Sequence, residues 1–304
     1  MVEIDERNES PAPLLRILPG NSKAVKIRLP LTNRLLKRRI SIPVILGLLW
    51  FVLLITGPLF IRIDPNRIDL YRFVEPPSLN ALLGTDENGR DVLARVLAGA
   101  RVSLIIGFSS AAISLILGTA FGSFAGYRGG WLDNLIMRFV DFSLAVPTII
   151  IILLVAAVYG AGEFQLILTI GLTGWMPVAR LARGQVRELK EMLWVEASQS
   201  IGASSSRILI RGIMPALGPV LFIAGVSELR RAVILEATAS FLGAGILLPN
   251  ASWGNMLTSA QVYLLTAPWL ALAPGFALSI TLLVVGNFRS LVATPRLKKK
   301  ERVA

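Results

Sequence analysis

Residues 194–219 read WVEASQSIGASSSRILIRGIMPALGP, and this polar stretch lies between two apolar segments long enough to cross a membrane. It is rich in small residues and contains a basic run before Pro215. Gly202 has no Cβ and can turn the chain at positive φ between two short helices. Pro215 can begin the next helix, because a residue of the first turn needs no partner for its amide. The stretch therefore predicts a helix–turn–helix that extends into water and is anchored in the bilayer at both ends.

The spacing within this stretch resembles the EAA loop of ABC transporter permeases. That pattern is Glu-Ala-Ala, three residues, Gly, nine residues and Ile-x-Leu-Pro. Four positions fall in register: Glu196, Ala197, Gly202 and Pro215. Three positions depart mildly from it: Ser198, Gly212 and Met214. In that family the loop carries a coupling helix that docks on a separate ATPase subunit. The resemblance therefore implies an ATPase-coupling site at Glu196, Ala197, Ser198, Gly202 and Pro215.

The composition of the chain indicates a multi-span membrane protein. Its 304 residues are 54% hydrophobic and only 16% charged, which is too apolar for a soluble domain. The sequence has no cysteine and no histidine, so it offers neither thiol chemistry nor the commonest general base and metal ligand. The formal net charge of +12 suggests nucleic acid or membrane as a partner, and the apolar segments decide for membrane.

Residues 1–39 are predicted to be a tail that begins acidic, becomes basic and is interrupted by four prolines. The tail is not expected to be a cleavable signal peptide, because the apolar run starts late and no small-residue cleavage site follows it. The first span is predicted at residues 42–61, which supply about 20 apolar residues. Seven lysines and arginines shortly before this span predict a cytoplasmic N-terminus.

A polar loop over residues 62–101 separates the first two predicted spans. Its six arginines conflict with the positive-inside rule if the loop lies outside, but the tails and inner loops are more basic still. The apolar residues of 92–100 recur at helical spacing, which predicts an amphipathic helix at the membrane interface leading into span two.

Two further stretches resemble the permease branch that imports dipeptides, oligopeptides and nickel. Residues 84–91 read GTDENGRD, which closely resembles a signature of that branch. Residues 240–257 read SFLGAGILLPNASWGNML and match its Phe-Leu-Gly-x-Gly, Pro and Ser-Trp-Gly run. Gly243, Gly245 and Pro249 predict irregular backbone in the second stretch.

The remaining spans follow from the apolar segments. Span two, residues 102–126, is full of Gly, Ala and Ser and is predicted to lie inside the helix bundle, since small residues let membrane helices approach closely. The other predicted parts are a polar link at 127–141, span three at 142–159, span four at 164–179, span five from Pro215 and span six at 267–288.

Span five contains ionisable residues that are expensive in a membrane. Each costs about 2.5–3.5 kcal/mol on insertion scales and normally faces a cavity or a partner. Glu228 and Arg231 are three residues apart and can pair on one face of a helix. We interpret Glu228, Arg231 and Glu236 as pore-lining or buried charges. The alternative is that the span ends before Glu228 and that these charges lie in water.

The distribution of cations sets the orientation. The segments predicted to lie inside hold 23 of the 31 lysines and arginines, which places both termini and the EAA-like loop in the cytoplasm. The predicted organisation is a cytoplasmic tail at 1–39, the first helix and an extracytoplasmic loop at 40–100, an ABC type-1 transmembrane domain at 101–290, and a basic cytoplasmic tail at 291–304.

The sequence contains no phosphate-binding loop of the G-x-x-x-x-G-K-[ST] type, and no paired carboxylates or nucleophile–base set can be recognised. We therefore expect no catalytic, cofactor or metal site in this chain. The resemblance implies an all-α protein of six transmembrane helices with the ABC type-1 importer permease fold and a cytoplasmic coupling helix between spans four and five.

The resemblance also implies the assembly and its cargo. The chain would form half of a translocation pore in the prokaryotic inner membrane, with a second, similar permease, two ATPase subunits that bind ATP and Mg²⁺, and an extracytoplasmic substrate-binding protein. The cargo would be di- or oligopeptides, with a nickel chelate, glutathione or oligosaccharide as alternatives. A self-sufficient secondary carrier or channel is the competing hypothesis, although no internal repeat supports it.

Overall fold

The computed structural model describes residues 42–60 and 63–291, so both predicted tails lie outside the described residues apart from Leu291. Within these ranges the regular elements are helices, with two isolated β-bridges at Ser78–Ala81 and Thr85–Asp91. The helices are α1 (Ile42–Phe60), α2 (Val92–Arg128), α3 (Gly130–Leu144), α4 (Thr148–Tyr159), α5 (Glu163–Lys190), α6 (Leu193–Ser200), α7 (Ser205–Arg207), α8 (Met214–Phe241), α9 (Trp253–Ala260) and α10 (Trp269–Asn287).

Shorter helical turns join some of these elements. A π-helix, Ile208–Ile213, connects α7 to α8 without a break, and 3₁₀ turns occur at Leu70–Arg72, Gln261–Tyr263 and Phe288–Leu291. The all-helical fold expected from the sequence is confirmed.

Four helical segments are long and apolar enough to cross a membrane: Val92–Arg128, Glu163–Lys190, Ser205–Phe241 and Trp269–Ser290. The pair α3 and α4 would add a fifth crossing if it forms one broken span, and its two helices are bent by 77°. Helix α1 has 19 residues, of which Val44–Leu54 form a shorter apolar helix. The total of six spans therefore stays a prediction.

Helix α2 forms the centre of the bundle because glycines let α5 come close. A Cβ at Gly118 would lie 2.5 Å from the Cβ of Val178, and a Cβ at Gly126 would lie 2.7 Å from the Arg183 carbonyl oxygen. Gly122, between them, would overlap Ala179 in the same way. The three glycines recur every fourth residue and form one helix face. The prediction that this small-residue helix lies inside the bundle is confirmed.

The predicted helix at residues 92–100 is present as the first turns of α2, where Val92 and Ala100 are fully buried, and it leads directly into span two. Its place at the membrane interface stays a prediction.

One predicted boundary is wrong. Residues 127–141 are not a polar link: α2 continues to Arg128 and α3 begins at Gly130. The break between the two helices is at Gly129, which has φ +67°, and the buried Asp133 of α3 pairs with Arg183 instead of lying in a loop.

The loop before α2 is held by charges and backbone contacts. Arg90 donates from Nε to Asp86 Oδ2 at 2.7 Å, and both side chains are buried. Asp91 caps α2 by accepting the Ala94 amide at 2.8 Å. Arg95 donates from Nη1 to the carbonyl oxygen of Pro249 at 3.4 Å. The GTDENGRD stretch is thus a rigid turn that starts α2.

The second signature stretch contacts the same part of α2. Trp253, at the start of α9, is fully buried and donates its indole N–H to the Val96 carbonyl at 3.0 Å. Gly99 packs on the backbone of Ser252, where an added Cβ would lie 3.2 Å from Cα. The predicted irregular backbone is present, since residues 242–252 contain no regular helix and Gly243 has φ +78°. The two sequence signatures therefore form one packed unit.

Candidate coupling loop and buried ion pair

Helix α6 ends in a turn that requires glycine. Gly202 has φ +82°, and its amide donates to the Gln199 carbonyl at 2.9 Å. The Ala203 amide donates to the Ser198 carbonyl at 3.0 Å. This pair of hydrogen bonds is the Schellman arrangement, in which the residue at the position of Gly202 adopts the left-handed conformation. The predicted turn between two short helices is present at Gly202.

A small apolar cluster fixes this loop to the ends of α5 and α8. Its buried members are Val186, Val195, Ile208, Ile213 and Leu217. Val195 is the buried residue of α6, so the helix lies on the bundle with one face. The loop is therefore a packed element that these side chains join to the ends of α5 and α8.

One departure from the EAA pattern has a direct structural reason. A Cβ at Gly212 would lie 2.8 Å from Cζ3 of Trp194. The indole ring thus occupies the space that a larger residue at this position would need, and the glycine accommodates the tryptophan that precedes the Glu-Ala-Ser motif.

The predicted coupling residues divide into exposed and structural positions. Glu196 and Ala197 are exposed on α6. Ser198 donates its hydroxyl to the Trp194 carbonyl at 2.7 Å and is only partly exposed. Pro215 lies in the first turn of α8, where its missing N–H has no cost. Of the predicted coupling residues, Glu196 and Ala197 are thus the ones on α6 that a partner protein could contact directly.

Two apolar residues of the same surface are missing from the predicted set. Leu193 is 82% exposed and Ile201 is 86% exposed, although both are large aliphatic side chains. Together with Ala197 they recur every fourth residue and form one exposed stripe along α6 and its C-cap. This spacing is visible in the sequence and could have identified them. We call Leu193, Ala197 and Ile201 the α6 stripe.

The predicted pair in α8 is formed inside the helix bundle. Arg231 donates from Nε to Glu228 Oε2 at 2.7 Å, and from Nη2 to the carbonyl oxygen of Ile170 in α5 at 3.0 Å. Glu228 is 6% exposed, and α8 continues to Phe241. The pairing is confirmed, and the alternative in which the helix ends before Glu228 is wrong.

The ion pair occupies a space left by Gly174 of α5. A Cβ at this position would overlap Arg231 Nη2 and Ser114 Oγ and would lie 2.6 Å from Glu228 Oε2. Ser114 itself donates to the Gly171 carbonyl at 3.0 Å. The charges therefore lie where α2, α5 and α8 meet, and removing Arg231 would leave the carboxylate of Glu228 buried without a counter-charge.

Glu236 is completely buried at a separate place, two turns further along α8. Its Oε2 accepts the Ser103 hydroxyl at 2.6 Å and its Oε1 accepts the Ser240 hydroxyl at 2.8 Å. Ser240 Oγ in turn accepts the Ile246 amide at 3.0 Å. The carboxyl group thus connects α2, α8 and the segment after α8, and it forms no contact with the Glu228–Arg231 pair.

Ion pairs also connect the basic end of α5 to α3, which the sequence reasoning missed. Arg183 donates from Nη2 to Asp133 Oδ2 at 2.7 Å, and Arg180 pairs with Asp141. Lys190 donates to the Tyr127 carbonyl at 2.8 Å. These contacts join the helix that enters the coupling loop to α2 and α3.

The comparisons with known proteins decide the family. The sequence pattern of the family described as binding-protein-dependent transport system inner membrane component matches residues 118–298. This chain belongs to that family. It is a permease subunit of an ABC importer, a class of transporter that works with ATPase and substrate-binding partners. Membership decides against the hypothesis of a self-sufficient carrier.

Relatives align over most of the chain. The oligopeptide transport system permease protein OppC of Bacillus subtilis (strain 168) is 37% identical over 261 residues, covering 83% of this chain and 85% of the relative. The dipeptide transport system permease protein DppC of the same strain is 33% identical, covering 88% and 85%. The glutathione transport system permease protein GsiD of Pectobacterium atrosepticum is 34% identical, covering 77% and 78%.

A solved structure shares the fold. A chain of the MetNI methionine ABC transporter in an inward-facing conformation superposes with a TM-score of 0.53 at 18% identity, covering 66% of this chain and 98% of that chain. At this identity the match supports the ABC importer permease fold and nothing about the substrate.

Proposed function

We propose that this permease forms half of a translocation pore for di- or oligopeptides in the prokaryotic inner membrane. The relatives named for oligopeptide and dipeptide transport support this substrate class. The observation that carries the proposal is α6: a packed helix ending at Gly202 that displays the exposed α6 stripe between two membrane-spanning helices.

The coupling surface consists of Glu196 and the α6 stripe. Exposed aliphatic side chains on a short helix cost free energy in water and favour a protein partner that covers them. Glu196 adds one charge beside the stripe. This surface docks on the ATPase subunit, and Ser198, Gly202 and Pro215 keep it in position through the hydrogen bond, turn and helix start described above.

The partners in this proposal are a second, homologous permease in a heterodimer, two ATPase subunits and a substrate-binding protein on the outer side. Both termini of the permease lie in the cytoplasm. The chain itself catalyses no reaction and holds no cofactor, while ATP and Mg²⁺ are bound by the ATPase subunits. The absence of a phosphate-binding loop from the sequence supports this division of roles.

The Glu228–Arg231 pair is assigned to the translocation pathway. Its partial exposure supports this assignment: the Arg231 side chain is 26% exposed, whereas the Glu228 side chain is 8% exposed. In this arrangement Glu228 holds the guanidinium group and Arg231 presents its free edge toward the passing peptide. Glu236 is assigned as a buried group outside this pathway, where it connects α8 to Ser103 of α2.

Co-purification tests the coupling assignment. The tagged permease extracted in mild detergent should retain its ATPase, and the double change Leu193→Asp and Ile201→Asp should release it because two charges would enter an apolar contact. The change Ile210→Asp is a matched control, since Ile210 is also exposed (65%) but lies in the π-helix. Retention of the ATPase by the stripe variant would contradict the assignment.

The substrate is tested with the complete transporter in proteoliposomes. Its binding protein is added with a radiolabelled dipeptide, oligopeptide, glutathione, oligosaccharide or nickel chelate. We expect ATP-dependent uptake of the peptides. Uptake of one of the other solutes in place of peptides would contradict the proposed substrate class and leave the coupling assignment untouched.

A further inference from the structure

One face of α8 is left uncovered by the helices that pack against it. On one side Arg231 donates from Nη2 to the Ile170 carbonyl of α5, and on another side Arg230 passes over Gly286 of α10. Helix α2 packs against a further side. Ser227 precedes Arg230 by three residues and Arg231 by four, so it lies on the face between these two side chains, where it is half-buried. Within the described part of the chain this face, near the middle of α8, is open.

A third arginine reaches the same face from the end of α10. Arg289, in the 3₁₀ turn that follows α10, is exposed and donates from Nη2 to the Ser227 hydroxyl at 2.9 Å. The residues before and after Ser227 on this face are aliphatic, with Ile223 one turn earlier and the exposed Ile234 two turns later. The polar groups therefore form a short band on an otherwise apolar face. We call the following four residues the α8 band: Ser227, Arg230, Arg231 and Arg289.

The α8 band carries more positive than negative charge. Within residues 42–60 and 63–291, Glu228 is the one acid that pairs with it, through Arg231, and neither Arg230 nor Arg289 forms an ion pair there. The buried Nε of Arg230 also has no hydrogen-bond acceptor among these residues. A guanidinium group keeps its charge at neutral pH and is expensive in lipid. Between apolar walls, charges of one sign attract counter-ions strongly. The band therefore favours an anion over contact with lipid.

We propose that the α8 band selects the transported peptides by charge and favours those that carry additional carboxylates. The inference rests on the proposed function, because it places the band on the path of the peptide beside the Glu228–Arg231 pair. Every peptide ends in a carboxylate, and acidic side chains add further ones, for which the paired N–H groups of a guanidinium are a geometric match. Arg231 is already neutralised by Glu228, so Arg230 and Arg289 supply most of the attraction.

The test uses the complete transporter in proteoliposomes, supplied with binding protein that has been saturated with peptide beforehand. The peptides are Ala-Glu-Ala, Ala-Gln-Ala and Ala-Lys-Ala, which differ only in the central side chain, and glutamate and glutamine have nearly the same shape. Because the binding protein is already loaded, the ratio of uptake rates reports the steps after capture. We expect the wild type to take up Ala-Glu-Ala fastest and Ala-Lys-Ala slowest, with a preference that falls as the salt concentration rises.

The variants change the charge of the band stepwise. The double change Arg230→Gln and Arg289→Gln should lower the ratio of Ala-Glu-Ala to Ala-Gln-Ala uptake about fivefold, because two partly exposed charges are lost. Arg289→Glu should raise the uptake of Ala-Lys-Ala relative to Ala-Gln-Ala, whereas Arg289→Lys keeps the charge and should keep most of the preference. Arg138→Gln is the matched control, since Arg138 is exposed on α3, which packs against α2 and α5. Gel filtration checks that each variant still assembles.

Three outcomes would overturn the proposal. Peptide uptake with the same ratio in the wild type and the double arginine variant would exclude selection by the band and leave the peptide assignment in place. An equal fall in the uptake of all three peptides would mean that the arginines bind an acidic group of another subunit. If the wild type takes up none of the peptides, the proposed substrate class and this inference are both wrong.

Discussion

At the scale of single residues, the glycines with positive φ allow backbone strain and steric overlap to be measured separately. Gly202, Gly89 and Gly129 all have positive φ, which an L-residue with a side chain rarely adopts. A Cβ at Gly202 or Gly129 would meet open space, whereas a Cβ at Gly89 would overlap the Asp69 carbonyl. Backbone strain and steric overlap can therefore be measured at different positions of one chain.

Replacing Gly202 with valine should uncouple the transporter. The β-branched side chain resists φ +82°, so the turn that ends α6 opens and the α6 stripe changes direction. We expect an assembled complex with strongly reduced uptake, or loss of the ATPase during purification. Gly202→Asn should retain more uptake, because asparagine tolerates this conformation.

The matched control is Gly184→Val in α5, where an added side chain also meets open space but φ is not positive. Normal uptake by Gly202→Val, or equal losses in the two valine variants, would contradict the assigned role of the turn.

Replacing Gly89 with alanine should lower the amount of folded protein more than replacing Gly243 with alanine. The two glycines have φ values of +68° and +78°, and an added Cβ meets the Asp69 carbonyl only at Gly89, so the difference reports that overlap. We expect a difference of about 1–3 kcal/mol, as for other overpacked sites. Thermal unfolding and membrane abundance measure it, and identical values for both variants would mean that the loop before α2 adjusts freely.

At the scale of elements, the ion pair predicted in α8 is stabilised by its neighbours. Gly174 makes the space, Ile170 supplies a carbonyl acceptor, and Glu228 supplies the counter-charge. Removing one member of a buried pair typically costs about 3–5 kcal/mol, because the other charge is left without compensation.

A double-mutant cycle tests this arrangement. Glu228→Gln and Arg231→Gln should each reduce uptake and membrane abundance, and the double change should recover part of the loss. Arg101→Gln in α2 is a control for loss of an exposed arginine. If the two single effects simply add, the charges are solvated and the bundle does not depend on their pairing.

The sequence predicted the elements better than their ends. The Glu-Ala-Ser motif, Gly202 and Pro215 predict the coupling loop because a turn and a helix start depend on local chemistry. The prediction of a polar link at residues 127–141 is wrong because Asp133, a polar residue of this segment, pairs with Arg183 of α5, fifty residues away in the sequence. The space at Gly174 could not be predicted from the sequence either, because it forms only where three helices meet.

At the scale of the whole molecule, the orientation of the chain is open to labelling. The sequence has no cysteine, so Ser204→Cys and Leu79→Cys each introduce a single thiol. Both positions are exposed. We expect an impermeant thiol reagent to label Leu79→Cys in intact cells, and Ser204→Cys only after the membrane is opened. Labelling of Ser204→Cys in intact cells would reverse the proposed topology.

The π-helix between α7 and α8 has a consequence for how such permeases diverge. A π-turn closes its hydrogen bonds one residue later than an α-turn, and each residue of a helix advances its direction by about 100°. Gain or loss of one residue in Ile208–Ile213 would therefore rotate α6 about the axis of α8. The helix faces that carry Glu228 and Glu236 would keep their direction. The surface that selects an ATPase can thus be redirected in evolution without rebuilding the pore.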